Sequence, residues 1–558
     1  MPFVNPYNFI SLKQGHKQSM ESYIKDEKLT GKLVCRLIAK TPMIIPDHAE
    51  KGKQVYNGKN YDAYPFMTVD GKPMVPGSSI RGVVRSVFEA MTNSCVRTND
   101  DYYFSSRTGA PKRPGLLEKT AAGWILHEAE RYSARDVTLS DADRVKFNHA
   151  PDSNGKEYVN SLSGPYDGYV LKMNIFEGTR KGKPYKSAHS VFMQKKGGFS
   201  RKMEPIWITI FEENIKKCVD TEVDDEESIK KETVFYARKY SQRFAQLKCG
   251  EKIPVWYEWA NGNYYFAPSQ ISRNVYTRKP KDFLEDLGLQ PCQTRSKLCD
   301  ACALFGFAGE GKDAEAMGSR VRFSDAWCKS ATPKLSYTEN PLSILSSPKS
   351  SSLEFYLRLP GARFYTADSD KVTLAGRKFY WHHPNGFVPG KWPVSKEPKQ
   401  TSFMQSVAAG AEFYFDVYFD GISQDQLNQL YTALTFGENE GDQFCHKLGH
   451  GKPLGFGSAK IAVEKAVVRS FEGDKYREIE AKLTAIELPE DNELRIMVKR
   501  TAMQGRIIDY PRTTPKGDIY QWFSGNHFLS NNENKREYYQ FLKPIPDKQE
   551  LLPGRKSK

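Results

Sequence analysis

Three observations in the sequence predict an α+β fold. Strand-like alternation with branched or aromatic residues appears at 31–45 (G-K-L-V-C-R-L-I-A-K-T-P-M-I-I), 318–326 (G-S-R-V-R-F-S-D-A) and 411–419 (A-E-F-Y-F-D-V-Y-F). Two stretches of helical period lie among them, with apolar positions Ile80, Val83, Val84, Val87, Phe88 and Met91 in one and Leu427, Leu430, Tyr431 and Leu434 in the other. At 558 residues the chain is also too long for one small core. Deleting the looser stretches leaves strand, helix, strands, helix, strand. That is the split βαβ order of a ferredoxin-like or RRM-like core, here carrying large insertions and a C-terminal extension.

Each element follows in turn. Residues 1–30 read as a polar leader, and 31–105 as the first part of the core. Its strand leaves at Pro46 into a loop over 47–70, rich in Gly, Lys, Tyr and Asp, which returns through G-K-P at 71–73. The helix then starts in V-P-G-S-S-I-R-G-V-V-R-S-V-F-E-A (75–90), with Ser78 or Ser79 as the expected N-cap. Arg81, Arg85 and Glu89 step by four along a second face. Unpaired N–H groups beside an arginine suit a phosphate, although the same pattern also makes an ordinary capped core helix.

Residues 106–290 read as one large insertion, with strand-like pieces at 168–176 and 205–211. Within it P-V-W-Y-E-W-A-N-G-N-Y-Y-F (254–266) is a hairpin turning at 260–262, and the acidic and lysine run over 216–232 is a solvated face. A cysteine-containing core segment follows at 291–330. Its final strand sets Arg320, Arg322 and Ser324 on one face and Val321 and Phe323 on the other. The segment 331–405, broken by L-S-I-L-S-S-P-K-S-S-S from 342, reads as a thumb-like, mobile arm. Residues 406–470 close the core, and 471–558 form an extension with the basic tail R-K-S-K.

Composition narrows the function. Lys+Arg 82 against Asp+Glu 67 gives +15, alongside 30 Tyr and 32 Phe. Cations for a phosphate backbone and ring faces for bases are what a single-stranded nucleic-acid binder uses. The first residues lack a signal-peptide pattern, and no run of about 18 apolar residues could span a membrane. Nine cysteines, odd in number and uneven in spacing, point to a reducing cytoplasm rather than a disulfide framework.

Two motifs carry chemistry. In H-K-L-G-H-G-K-P-L-G-F-G-S-A-K-I (446–461), Gly449, Gly451, Gly455 and Gly457 stand among Lys447, Lys452 and Lys460. It is not a Walker loop: Pro453 follows the lysine where a hydroxyl residue is required, and a strand follows instead of a helix. Such a loop can offer backbone N–H groups to RNA, or be a plain turn. Cys299 and Cys302 form C-x-x-C with Cys292 seven residues earlier. A tetrahedral zinc site needs a fourth ligand, for which Cys95 is the first candidate and Cys328 or a histidine the alternatives; buried reduced thiols are the competing reading. No βαβ context follows Cys302 to suggest thioredoxin-like chemistry. His382, His383, His446 and His450 read as structural or surface groups, and no Ser/His/Asp arrangement stands out.

Taken in order, V-P-G-S-S-I-R-G, then C-D-A-C-A-L-F-G with G-S-R-V-R-F-S-D-A, then G-K-P-L-G-F-G-S-A-K-I resemble the RAMP superfamily of CRISPR-associated proteins. The likeness is greatest to backbone-type subunits of type III effector complexes, and S-V-A-A-G-A-E-F from 406 adds to it. It covers roughly 31–105, 290–330 and 405–468. The resemblance implies an RRM-like core that grips CRISPR RNA by its backbone, a thumb wedging between bases, and other effector subunits as partners in antiviral defence. It also implies a zinc site beside L-F-G. On this reading the RNA contacts are Ser78, Ser79, Arg81, Arg85, Arg320, Arg322, Lys447, Gly449, Gly451, Lys452, Gly455 and Gly457. Backbone-type members also carry a loop aspartate upstream of P-G-S-S that supports metal-dependent cleavage of target single-stranded RNA, with Mg or another divalent cation. The attacking group is the substrate's own 2′-hydroxyl. Asp62 matches that aspartate best and Asp47 is the runner-up. The alternatives are a non-catalytic cap or scaffold, a precursor CRISPR RNA processing endoribonuclease, and a general RNA binder.

Overall fold

The computed structural model describes residues 2–552 apart from 25–27, 98–102, 108–111, 135–136, 141, 173–176, 181–182, 187–188, 220–237, 261, 271–272, 330–332, 346–351, 359–370, 387, 389–397, 474, 512–521, 524–525, 527–539, 546 and 548. The core elements are β1 (Leu29–Ala39), β2 (Lys72–Val75), α1 (Gly77–Met91), β3 (Val321–Phe323), β4 (Ala326–Cys328), β5 (Glu412–Ile422), α2 (Gln424–Thr435) and β6 (Ser458–Glu472). Neighbours are antiparallel throughout: β6 beside β1, β1 beside β5, β5 beside β3 and β4, and β4 beside β2. The last strand, β6, lies against the first, and the first against β5, the strand that leads into the second helix, as the ferredoxin-like order requires.

Alternation sets the layers. Leu33, Cys35 and Leu37 of β1 and Phe413, Phe415, Val417 and Phe419 of β5 point inward, while Lys32, Arg36, Tyr414 and Tyr418 point out. Both helices pack on the inner face through Ile80, Val84, Val87 and Phe88 and through Leu427, Leu430 and Leu434. Each such buried side chain contributes about 1.5–3 kcal/mol relative to exposure. Helix α2 opens with a capping box between Ser423 and Gln426.

Helix α1 opens differently from the sequence expectation. It starts at Gly77 with Pro76 at the N-cap position, so Ser78 and Ser79 fall inside the first turn. The cap comes from another element: Asp325 Oδ1 accepts the Gly77 N–H at 2.8 Å. Gly77 is pressed against the chain that carries this aspartate, because a Cβ there would lie 2.4 Å from the Phe323 carbonyl oxygen.

The insertion builds its own sheet, in the order 144–151, 157–172, 189–194, 123–133, 113–120, 252–260 and 263–267, with Ser200–Lys202 added beside 123–133. The last two strands are the expected hairpin. The expected strand at 205–211 is instead the start of a helix, Pro205–Val219. Trp207, Phe211 and Ile215 recur at helical spacing and bury together with Leu117, Phe244 and Tyr257. The acidic run lies mostly outside the described residues.

Two further expectations change. Residues 1–30 are not simply a polar leader. Phe3–Val4 and Tyr7–Ile10 are strands paired with Glu550–Leu551 and Arg377–Tyr380, because Phe3, Tyr7 and Phe9 bury against Phe355 and Trp522. The described parts of 331–405 are likewise tied to the fold through buried Phe355, Trp381 and His382. The middle of its Ser/Pro run (346–351) lies outside the described residues, as does the tail at 555–558. No helix among the described residues is long and apolar enough to cross a membrane.

Candidate nucleic-acid interface

The three sequence motifs meet around α1. Arg81 Nη2 donates to the Phe305 carbonyl at 2.6 Å, and Arg85 Nη1 donates to that of Gly306 at 3.4 Å; both guanidinium groups sit 5.6 Å from the Phe305 ring centre. Arg85 also pairs with Glu89 at 2.7 Å and is buried. Both arginines therefore fasten the L-F-G turn to the helix. In the glycine loop, Gly449, Gly451, Gly455 and Gly457 all have positive φ. Side chains are excluded as well as strained there: a Cβ on Gly457 would lie 1.9 Å from the Leu448 carbonyl oxygen, and one on Gly449 2.2 Å from that of Ile44. Lys447 is buried, and its Nζ donates to the Phe456 carbonyl at 3.0 Å, so it braces the loop from inside.

Between α1 and this loop lies a cleft of about 410 Å³. Ser78, Ser79, Gly82 and Ser86 line one wall, Lys447, Gly449 and Lys452 the other, and Lys378, Tyr380 and His382 close one side. No carboxylate is among its described lining residues. Burial without a counter-charge pushes Lys378 down to about 8 and Lys447 down to about 7, and lowers Lys452. An anion in the cleft would favour the charged forms again. The histidines are structural: His382 bonds Ser458 Oγ at 2.9 Å and the Cys445 carbonyl at 3.0 Å, and His446 bonds the Leu434 carbonyl at 2.8 Å. Lys378 and Tyr380 are absent from the sequence-derived candidates. The pairing of two cations with two aromatic residues in R-K-F-Y at 377–380 was the available sign.

The remaining candidates lie elsewhere. Arg320 Nη1 donates to the Gly421 carbonyl at 2.5 Å, and Arg322 is exposed on β3 opposite Tyr418 of β5. The expected loop over 47–70 contains a hairpin, Gly52–Tyr56 with Lys59–Tyr64, whose second strand runs parallel to Ser402–Val407. Asp62 sits on that strand, its two carboxylate oxygens held by Lys51 at 2.7 Å and by Lys53. Hydrogen bonds from both lysines lower its pKa. Asp47 Oδ1 accepts the Ala49 N–H at 3.0 Å.

The cysteines converge. Cys95, Cys292, Cys299 and Cys302 are all buried, with their sulfurs within 4.8 Å of one another and Cys95–Cys302 at 3.6 Å. Four thiolates around zinc at about 2.3 Å would stand roughly 3.8 Å apart, so the donor set fits that ion. Cys328 is only half-buried and outside this group. Hydrogen bonding with the neighbouring thiols, chiefly Cys292 and Cys299, pushes Cys95 and Cys302 up, and burial adds to it.

A family model described as the RAMP superfamily matches residues 36–237 and 235–460. No curated protein matches the sequence. Among solved structures, a likeness to the crystal structure of Thermofilum pendens Csc2 covers 64% of this chain and 66% of that one, at 9% identity and a TM-score of 0.15. So remote a likeness carries no structural or functional weight.

Proposed function

Because the chain belongs to the RAMP superfamily of CRISPR-associated proteins, we propose that it is an RNA-binding effector subunit that grips guide RNA by its phosphates in the cleft beside α1. The observation that carries this reading is the cleft itself. Lys378, Lys447 and Lys452 are brought together there, beside the glycine loop, without a carboxylate among its described lining residues. Contacts to phosphate carry no sequence information, which suits a protein that must hold guides of any sequence. Other effector subunits would be its partners and the cytoplasm its compartment. The four cysteines would hold one structural zinc, tying the end of α1 to the L-F-G turn.

Cleavage of paired target RNA is the finer form of the reading, and it would rest on Asp62. As arranged, both Asp62 oxygens are taken by ammonium groups, and Asp47 Oδ1 by a backbone N–H. Neither makes a divalent-ion site in this state, and a gripping scaffold is the better-supported form.

The test is binding of labelled single-stranded RNA to the full-length protein. Affinity should be indifferent to sequence and fall steeply with salt. Absence of binding, or binding insensitive to salt, would sink the proposal.

A further inference from the structure

The insertion carries a surface that the cleft does not use. Residues 195–202, K-K-G-G-F-S-R-K, hold four cations and no acid. Phe199 is 37% exposed and Trp259 50% exposed, and buried rings join the two into one row. Phe199 meets Tyr257 edge-on at 6.0 Å, Tyr257 lies 6.1 Å from Tyr264, and Tyr264 lies 4.6 Å from Trp259. Gly115 makes room beneath the row, since a Cβ there would come within 2.8 Å of the Tyr257 ring. Arg201 stands 5.9 Å from both the Trp259 and Tyr264 rings, and its Nη1 donates to the Tyr264 hydroxyl at 3.1 Å. Glu128 is a nearby carboxylate, and Lys195 pairs with it at 2.9 Å. Lys196, Arg201 and Lys202 are all exposed.

Large rings held in water by a rigid support mark a surface that a partner covers. Charge selects the partner: ring faces interleaved with cations complement a polyanion whose units each carry a flat π face. Gly197 and Gly198 leave the turn between the cations without side chains, so a backbone can come close. We infer that this face of the insertion is a second single-stranded RNA site. Phe199 and Trp259 each stack a base there, and Lys196, Arg201 and Lys202 meet the flanking phosphates. The identity of the ligand rests on the RNA-binding reading above; the site rests on its own geometry.

The experiment compares three full-length proteins on one mixed-sequence single-stranded RNA: the natural chain, Phe199→Ala with Trp259→Ala, and Lys378→Ala with Lys452→Ala. Stacking a base is worth roughly 5- to 150-fold in affinity by alanine substitution, so the aromatic pair should weaken binding at least about fivefold. RNA should also quench the tryptophan emission, and less so without Trp259. Phe199→Tyr with Trp259→Phe should restore the affinity, which a merely structural role for these exposed rings would not require. Unchanged affinity in the alanine pair and an RNA quench as large as in the natural chain, with loss in the lysine pair, would overturn this site and leave the cleft standing. Loss of a co-purifying protein subunit instead of RNA would make the face a protein interface and overturn it too. No RNA binding by the natural chain would remove both proposals.

Discussion

Replacing Lys378 and Lys452 by alanine tests the cleft most directly, because both line it and Lys452 is only half-buried. Neither makes the bracing hydrogen bond that ties Lys447 Nζ to the Phe456 carbonyl, so the loop should keep its shape. If each lysine meets one phosphate, the double variant loses about two counterion-releasing contacts. On a single strand each contributes roughly 0.7 to the slope of log affinity against log salt, so the slope should flatten by about 1.4. The gap between natural chain and variant should then shrink about sevenfold between 50 and 200 mM salt. Fluorescence anisotropy across a salt series reads both quantities, and thermal melting checks that the fold is intact. An unchanged slope with an intact fold would refute phosphate contact at this cleft. A loss confined to one RNA sequence would refute backbone gripping.

The same geometry sets three other expectations. With Lys447 at about 7 and Lys378 at about 8, RNA affinity should decline from pH 7 to 9 as the empty cleft loses charge. The RNA-free protein should gain stability over that window, because the unfolded lysines still bind protons that the folded ones have released; parallel declines in affinity and stability would contradict the assignment. Elemental analysis should find about one zinc per chain, and Cys299→Ser or a strong chelator should lower the melting temperature by several degrees; a zinc-free protein melting unchanged after Cys299→Ser would exclude the site. Asp62→Ala should leave melting and guide binding nearly unchanged, since its lysine pairs are at the surface. If the assembled complex cuts guide-paired RNA and this variant does not, the finer, catalytic reading holds; cutting that survives it excludes Asp62.

What can be read in the sequence is periodic and local. The alternation of β1 and β5 and the apolar stripes of α1 and α2 report which face is buried, and together they give the core its order. The cysteine set is legible from spacing because thiols leave few alternatives, although joining Cys95 to the other three requires the fold. Cross-element contacts are not legible. Ser78 is an expected cap of α1, yet Asp325 provides it from 248 positions away. Phe3, Tyr7 and Phe9 read as part of a polar leader because the residues they bury against, Phe355 and Trp522, are far along the chain. The helix at 205–219 reads locally as a strand because its first residues, P-I-W-I-T-I-F, are branched and aromatic, and tertiary packing overrides that local preference.

The motifs that identify the family prove to hold the backbone more than any ligand. Asp325 caps Gly77, Arg81 and Arg85 grip the carbonyls of the L-F-G turn, and the four glycines let the loop fold against residues 42–45. Arg85 shows why. Its desolvated guanidinium is compensated by Glu89 and the Gly306 carbonyl, and turning toward RNA would leave half-buried Glu89 without its closest cation. A side chain so placed cannot also be the flexible cation that follows a phosphate. That role passes to Lys452 beside the loop and to Lys378 on a strand outside every motif, whose Nζ lies over the Tyr7 ring, 3.8 Å from its centre, with no carboxylate among the cleft's described lining residues. Motif residues thus set the shape of the cleft, and its affinity is carried by neighbours that a motif search does not single out.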